Sequence, residues 1–298
     1  MKYKMLHLLQ WRVCDIINTL PKIAEQGFNA ILISPCQEIR EDGWEYWKLY
    51  QPLSYKIGNR LGSANNIQEL CNKAGNYGIQ IIADVLLRNV ASETGDDIHK
   101  DVDPNLVKHV DINIPQCDNW EDRHKSTMWR VGLPLVKYWE PEVQRMQINF
   151  LNELVKLGIK GFRIDMAKHI ALPNEGCNYF IDVLKPFQDK GIFIYGEVLN
   201  SPQWLLDNYA TFINVCTEKH MYMTRTDRKV THFESHDDYF VFKHTQYLTK
   251  EQMVYEWNKL VNCDKVHAIF FARPMEDPHH LSDVWLSDEI KRINLGGM

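Results

Sequence analysis

The sequence predicts an α/β fold, a closed (β/α)8 barrel with a small lobe inserted after the third strand, on three observations. A local pattern recurs: an amphipathic helix, a glycine, then an apolar strand ending in a polar residue. Helix-strand alternation of this kind means a parallel sheet, and eight strands can be counted in the 298 residues. No GxGxxG follows the first strand, which weighs against a doubly wound dinucleotide fold.

The first strand is read at residues 5–9. DIINTLPKIAEQG then spaces Ile16, Leu20, Ile23 and Ala24 along one helical face, stops at Gly27 and runs into AILIS. NIQELCNKAGNYG does likewise with Ile67, Leu70, Cys71 and Ala74, stops at Gly78 and runs into IQIIAD. PEVQRMQINFLNELVKLG opens on Pro141, stops at Gly158 and leads to IKGFRID; FIDVLKPFQDKG stops at Gly191 and leads to IFIYGE. A glycine past the last turn supplies the left-handed conformation that ends a helix. The strands are continuous apolar runs, as expected where both faces are covered. Residues 212–215, 230–235 and 268–272 complete the set. Residues 91–138, polar and carrying Trp120 and Trp129, are too long for a plain connection. They form the expected lobe, leaving 1–90 and 139–298 as the barrel.

Composition excludes several classes. Net charge is -5 with both signs mixed along the chain, so no basic stripe offers itself to nucleic acid. No run of about eighteen apolar residues suits a membrane span. The N-terminal apolar stretch is too short for a signal h-region, and the seven cysteines form no CxxC pair. A cytoplasmic protein with reduced thiols is expected.

In a barrel the C-terminal strand ends carry the active site. Here the third run ends in Asp84, the fourth in Arg163-Ile164-Asp165, the fifth in Glu197, and the seventh in Glu234-Ser235-His236-Asp237-Asp238. Alternation along a strand turns Arg163 and Asp165 inward together, where the cation is expected to keep Asp165 ionised. Carboxyl groups crowded into one cleft have their pKa values forced apart, the division that glycosidic cleavage needs. On the residues alone, a metal site or a lyase remains open.

GFRIDMAKH, YGEVL and ESHDD resemble the fourth-, fifth- and seventh-strand signatures of the α-amylase family, glycoside hydrolase family 13. WKLYQPLSYKIGNRLGS resembles the loop after strand two of bacterial and clostridial members, and FFARP their eighth strand. The resemblance implies a retaining α-1,4-glucan hydrolase acting on glucans or maltooligosaccharides. Asp165 would be the nucleophile, Glu197 the acid/base and Asp237 the residue that binds sugar hydroxyls. Arg163 and His236 would support them, Tyr50 would stack beneath the sugar with Gln51 beside it, and Lys168 and His169 would line the leaving-group side. A catalytically silent glucan-binding barrel and a transglycosylase are the alternatives; the intact trio argues against the first.

Two departures matter. The family's third-strand motif carries an Asn-His pair where this chain has Arg88-Asn89. That Asn ordinarily ligates a structural calcium, as does an Asp where this chain has Lys125. Two cations at ligand positions repel a divalent ion and can stand in for it, so no cofactor is expected. Asn89 is left as a further hydrogen-bonding partner for the sugar. The chain also ends where the last helix is expected, without the family's C-terminal β-sandwich, and the loop after the eighth strand, MEDPHHLSDVW, is short.

Overall fold

The computed structural model describes residues 2–242, 248–277 and 283–296; part of the loop after the eighth strand, residues 278–282, lies outside them. Eight strands close into a barrel: β1 (Lys4–Leu8), β2 (Ala30–Ile33), β3 (Gln80–Val85), β4 (Gly161–Ile164), β5 (Phe193–Glu197), β6 (Asn214–Cys216), β7 (Lys229–His232) and β8 (His267–Phe271). Each pairs in parallel with its neighbours, and β8 closes on β1 through Lys4–Ala268 and His7–Phe271.

The continuous apolar runs have two destinations. Met5, Ala30, Leu32, Ile82, Tyr195, Cys216, Val230 and Ile269 fill the barrel interior. Residues of the other parity, among them Leu6, Ile31, Ile81, Phe162, Ile194 and Phe270, pack outward on the helices. Each strand therefore loses both faces to apolar surroundings.

The sequence expectation places five of the eight strands within about one residue of their observed span, and the fourth begins two residues later than expected, at Gly161. The sixth falls later than 212–215, and the seventh leaves the sheet after His232, so Glu234 lies in a bend and His236 and Asp237 open a short helical turn. The outer ring also departs from a full set of helices: between β6 and β7 only a 3-10 turn, Thr226–Arg228, is present. The loop after β2 holds an antiparallel sheet of Gln37–Ile39, Pro52–Asn59 and Gly62–Ser63 that the apolar pattern does not announce.

Residues 91–138 contain two short helices, Pro104–Val107 and Arg123–Met128, joined by isolated bridges such as Val110–Val136 and Gln116–Arg130. Their apolar residues Val102, Leu106 and Val136 share a cluster with Leu53 of the antiparallel sheet and Val143 of the helix Pro141–Lys156. The segment thus rests on its neighbours instead of enclosing a core of its own. No helix among the described residues is long and apolar enough to cross a membrane.

Candidate active site

Strand register assembles the site. Asp84 on β3 pairs with Arg163 on β4, which pairs with Tyr195 on β5. The last pair of that register is Ile164–Gly196, so the next step sets Asp165 beside Glu197. Arg163, only 5% exposed, is the hub. Its Nη1 donates to Asp84 Oδ2 at 2.6 Å and Asp165 Oδ1 at 3.1 Å, and its Nη2 donates to Glu197 Oε1 at 2.7 Å. The other Glu197 oxygen accepts the Met166 N–H at 3.0 Å. That amide is aimed by a left-handed residue, Met166 at φ 52°, a conformation a side chain tolerates only where packing enforces it.

The packing is supplied by Gly196. A Cβ there would lie 2.5 Å from Ala167 Cβ and from Ile213 Cδ1, so only glycine lets the turn Ala167–His169 lie against β5. The turn brings Lys168 and His169 to the rim, with Lys168 Nζ donating to Leu199 O at 2.9 Å and His169 Nδ1 3.0 Å from Ser126 O.

Opposite, the loop after β7 is fixed by a reciprocal cap. Asp238 accepts from the Ser235 N–H and hydroxyl, and Ser235 Oγ accepts the Asp238 N–H. This presents His236, whose Nε2 lies 3.5 Å from Asp237 Oδ1. Tyr50 lies over the Arg163 guanidinium and donates its hydroxyl to Asp84 Oδ2 at 3.1 Å. Glu197, Asp237, Lys168 and His169 share a cleft of about 290 Å³, to which Glu218 and Ser235 also contribute. Two larger hollows lie away from the acids, one between the helices Lys250–Asn262 and Asp288–Leu295 and one at the opposite mouth of the barrel.

One guanidinium serves three acids, so they cannot all ionise at no cost. Burial pushes the Asp84 carboxyl up to about 6 against the pull of Arg163. Asp165 is carried well above the ordinary range by burial, with Glu197 and Asp84 adding to the effect. Arg163 pulls the other way, so the expected pairing of Arg163 with Asp165 is present while burial and the two neighbouring acids oppose ionisation. Burial also raises Asp237, and it lowers His236 to about 3, which keeps that ring neutral.

Two of the expected sugar contacts also have partners within the chain. Gln51 Oε1 accepts from Arg40 Nη1 at 3.3 Å and from the Ser92 N–H at 3.2 Å, bracing the antiparallel sheet to the segment after β3. Asn89 accepts from Arg88 through Oδ1 and turns Nδ2 to Met166 Sδ at 3.0 Å, so both ends of its amide are used. Conversely, Asp84 and Trp120 gain importance. Trp120 is 56% exposed, and its ring lies 5.6 Å from Lys168 Nζ and edge-on to His169 at 5.1 Å.

The protein family described as alpha amylase, catalytic domain, matches residues 13–272. The chain belongs to this family. An alpha-amylase of Clostridium acetobutylicum is 36% identical over 71% of this chain and 30% of its own length. An alpha-amylase of Butyrivibrio fibrisolvens is 26% identical over 98% of this chain and 38% of its own length. The chain thus spans well under half the length of these curated relatives. Among solved structures, the alpha-amylase of Geobacillus thermoleovorans in complex with acarbose superposes with TM-score 0.78 at 15% identity, over 98% of this chain and 77% of that one. An alpha-amylase I variant of Eisenia fetida in complex with maltohexaose superposes with TM-score 0.69 at 16% identity, over 90% of this chain and 66% of that one. These likenesses establish the fold, a barrel of the alpha-amylase type.

The calcium that the family resemblance implies does not fit the residues present. At the position of the ligating Asn stands Arg88, and its guanidinium already holds the oxygens around it. Lys125 lies outside this arrangement, donating to Asp118 at 2.9 Å over the ring of Trp129.

Proposed function

We propose that this chain is a glycoside hydrolase that cleaves α-1,4-glucosidic bonds of glucans or maltooligosaccharides with retention. The observation that carries the reading is the double grip of Arg163 on Asp165 and Glu197, which aims both carboxyl groups at one place. Double displacement needs such a pair, close enough to act on one anomeric carbon.

In the first step the Asp165 carboxylate attacks the anomeric carbon while the Glu197 carboxyl gives its proton to the glycosidic oxygen. The bond to that oxygen breaks, a glycosyl ester forms on Asp165, and the leaving chain departs as an alcohol. In the second step Glu197, now a carboxylate, takes a proton from water as that water attacks the anomeric carbon and releases Asp165. Two inversions restore the configuration. The productive form carries the proton on Glu197 and the negative charge on Asp165. Asp237 binds ring hydroxyls, with His236 and Tyr50 flooring the bound sugar. Lys168 and His169 meet the leaving chain.

On this reading residues 1–90 and 139–298 are the catalytic barrel and 91–138 a small lobe over its mouth. Seven unpaired cysteines favour a reducing compartment such as the cytoplasm.

Release of reducing ends from soluble starch tests the proposal. Glu197→Gln is expected to lose about 10²–10⁴-fold in kcat, and the α-anomer is expected as first product by NMR. Equal activity in both proteins, or an initial β-anomer, refutes it.

A further inference from the structure

Arg88 is 1% exposed, and its partners among the described residues are neutral oxygens drawn from separate stretches of chain. Nε donates to His169 O at 2.8 Å and Nη1 to Asn89 Oδ1 at 3.1 Å. Nη2 donates to Trp129 O at 2.5 Å and to Ser126 O and Thr127 O at 3.4 Å each. Burial lowers its pKa only to about 10, so the group stays cationic at neutral pH. A charge surrounded by carbonyl and amide oxygens is the donor chemistry of a hard cation site, with the cation here supplied by the chain.

We propose that the Arg88 guanidinium is a covalently attached replacement for a structural cation, clamping the segment Ser126–Trp129 to the turn that carries Lys168 and His169. Charge and space both bar a calcium ion. That ion needs six to eight oxygens at about 2.3–2.6 Å, and these oxygens face a planar cation that would repel it. The surrounding contacts run the same way. Ser126 O, which Arg88 reaches from one side, meets His169 Nδ1 from the other. From the helix Arg123–Met128, Arg123 donates to Lys168 O at 2.7 Å and grips Glu175 with Nε and Nη2. The lobe is thus fastened to the rim through the backbone carbonyls of Lys168 and His169, by one arginine from each side. The inference stands apart from the catalytic proposal, since it concerns stability and local order.

The experiment is thermal melting of the whole chain in EDTA and in millimolar calcium, with hydrogen exchange resolved by segment. The wild type is expected to melt within about 1 °C under both conditions. Arg88→Met is expected to melt roughly 5–15 °C lower, with exchange accelerated in residues 123–130 and 166–170 while β1 and β8 keep their protection. Arg88→Lys retains charge but offers three donors in place of the five of a planar fork, and is expected to fall between; it serves where Arg88→Met does not fold. A wild type that is stabilised by calcium, or that keeps stoichiometric calcium after dialysis, overturns the proposal. So does an Arg88→Lys or Arg88→Met protein that melts and exchanges like the wild type.

Discussion

The imidazole of His236 lies flat on the phenol ring of Tyr50, their centroids 5.3 Å apart and their planes 5° from parallel. The pair joins the loop after β2 to the loop after β7 across the mouth of the barrel. Tyr50 also reaches down to Asp84, so one side chain serves as floor, strut and hydrogen-bond donor. Tyr50→Phe removes only the hydroxyl and should cost about 1 kcal/mol of stability, read by denaturant melting. Tyr50→Ala removes the platform too, and should lower kcat/KM on maltooligosaccharides roughly 10–100-fold through loss of positioning. Equal kinetics in wild type and Tyr50→Ala would remove Tyr50 from the site.

Gly196 offers a sharper steric test. Its missing side chain leaves room for Ala167, and Ala167 is backbone-bound with no flexible tip to withdraw. Gly196→Ala should cost about 1–3 kcal/mol by overpacking and raise KM as the turn bearing Lys168 and His169 is pushed off the strand. A variant with wild-type melting and KM would show that the turn does not depend on this contact.

Trp120 stands exposed beside two residues that line the cleft, held by a cation over its face and a ring at its edge. Trp120→Ala should raise KM for longer maltooligosaccharides roughly 3–10-fold, in line with the worth of one aromatic contact, and leave kcat and the melting temperature nearly unchanged. A fall in kcat with KM constant would contradict a binding role.

His267, at the far mouth, gives a pH prediction free of the catalytic groups. Burial depresses it to about 4, and its Nδ1 accepts the Tyr3 N–H at 3.0 Å. A group depressed from about 6.5 in the unfolded chain contributes stability that is complete above that pH and is lost as pH falls towards 4. Melting curves between pH 7 and 4 should therefore fall less steeply for His267→Gln than for the wild type, the difference reaching up to about 3 kcal/mol. Parallel curves would place the proton elsewhere.

Much of the site could be read from residue order because polar residues interrupt apolar runs where a barrel strand ends. Asp84, Asp165 and Glu197 announce themselves in this way, and the registers of β3, β4 and β5 gather them around Arg163. What residue order conceals is competition for hydrogen-bonding groups. Gln51 and Asn89 look wholly available in sequence, yet the Gln51 oxygen is held by Arg40 and the Ser92 N–H, and the Asn89 amide by Arg88 and Met166. Arg88 reads as a ligand lost; only folding reveals the carbonyl oxygens it gathers, since a backbone acceptor leaves no mark on residue type. The antiparallel sheet after β2 is hidden for a related reason: one of its strands, Gln37–Ile39, has three residues and no periodicity to detect.

The hub at Arg163 has a consequence for what the mouth of the barrel will attract. One guanidinium facing Asp84, Asp165 and Glu197, with Asp237 nearby, leaves more carboxyl groups than cations at the cleft even with Lys168 at its rim. On the proposed function, a sugar ring passing through its oxocarbenium-like form supplies further positive charge, and is held more tightly than the neutral ring before or after. By the same electrostatics, sugar mimics with a protonated nitrogen at the anomeric position should outcompete neutral analogues of equal shape.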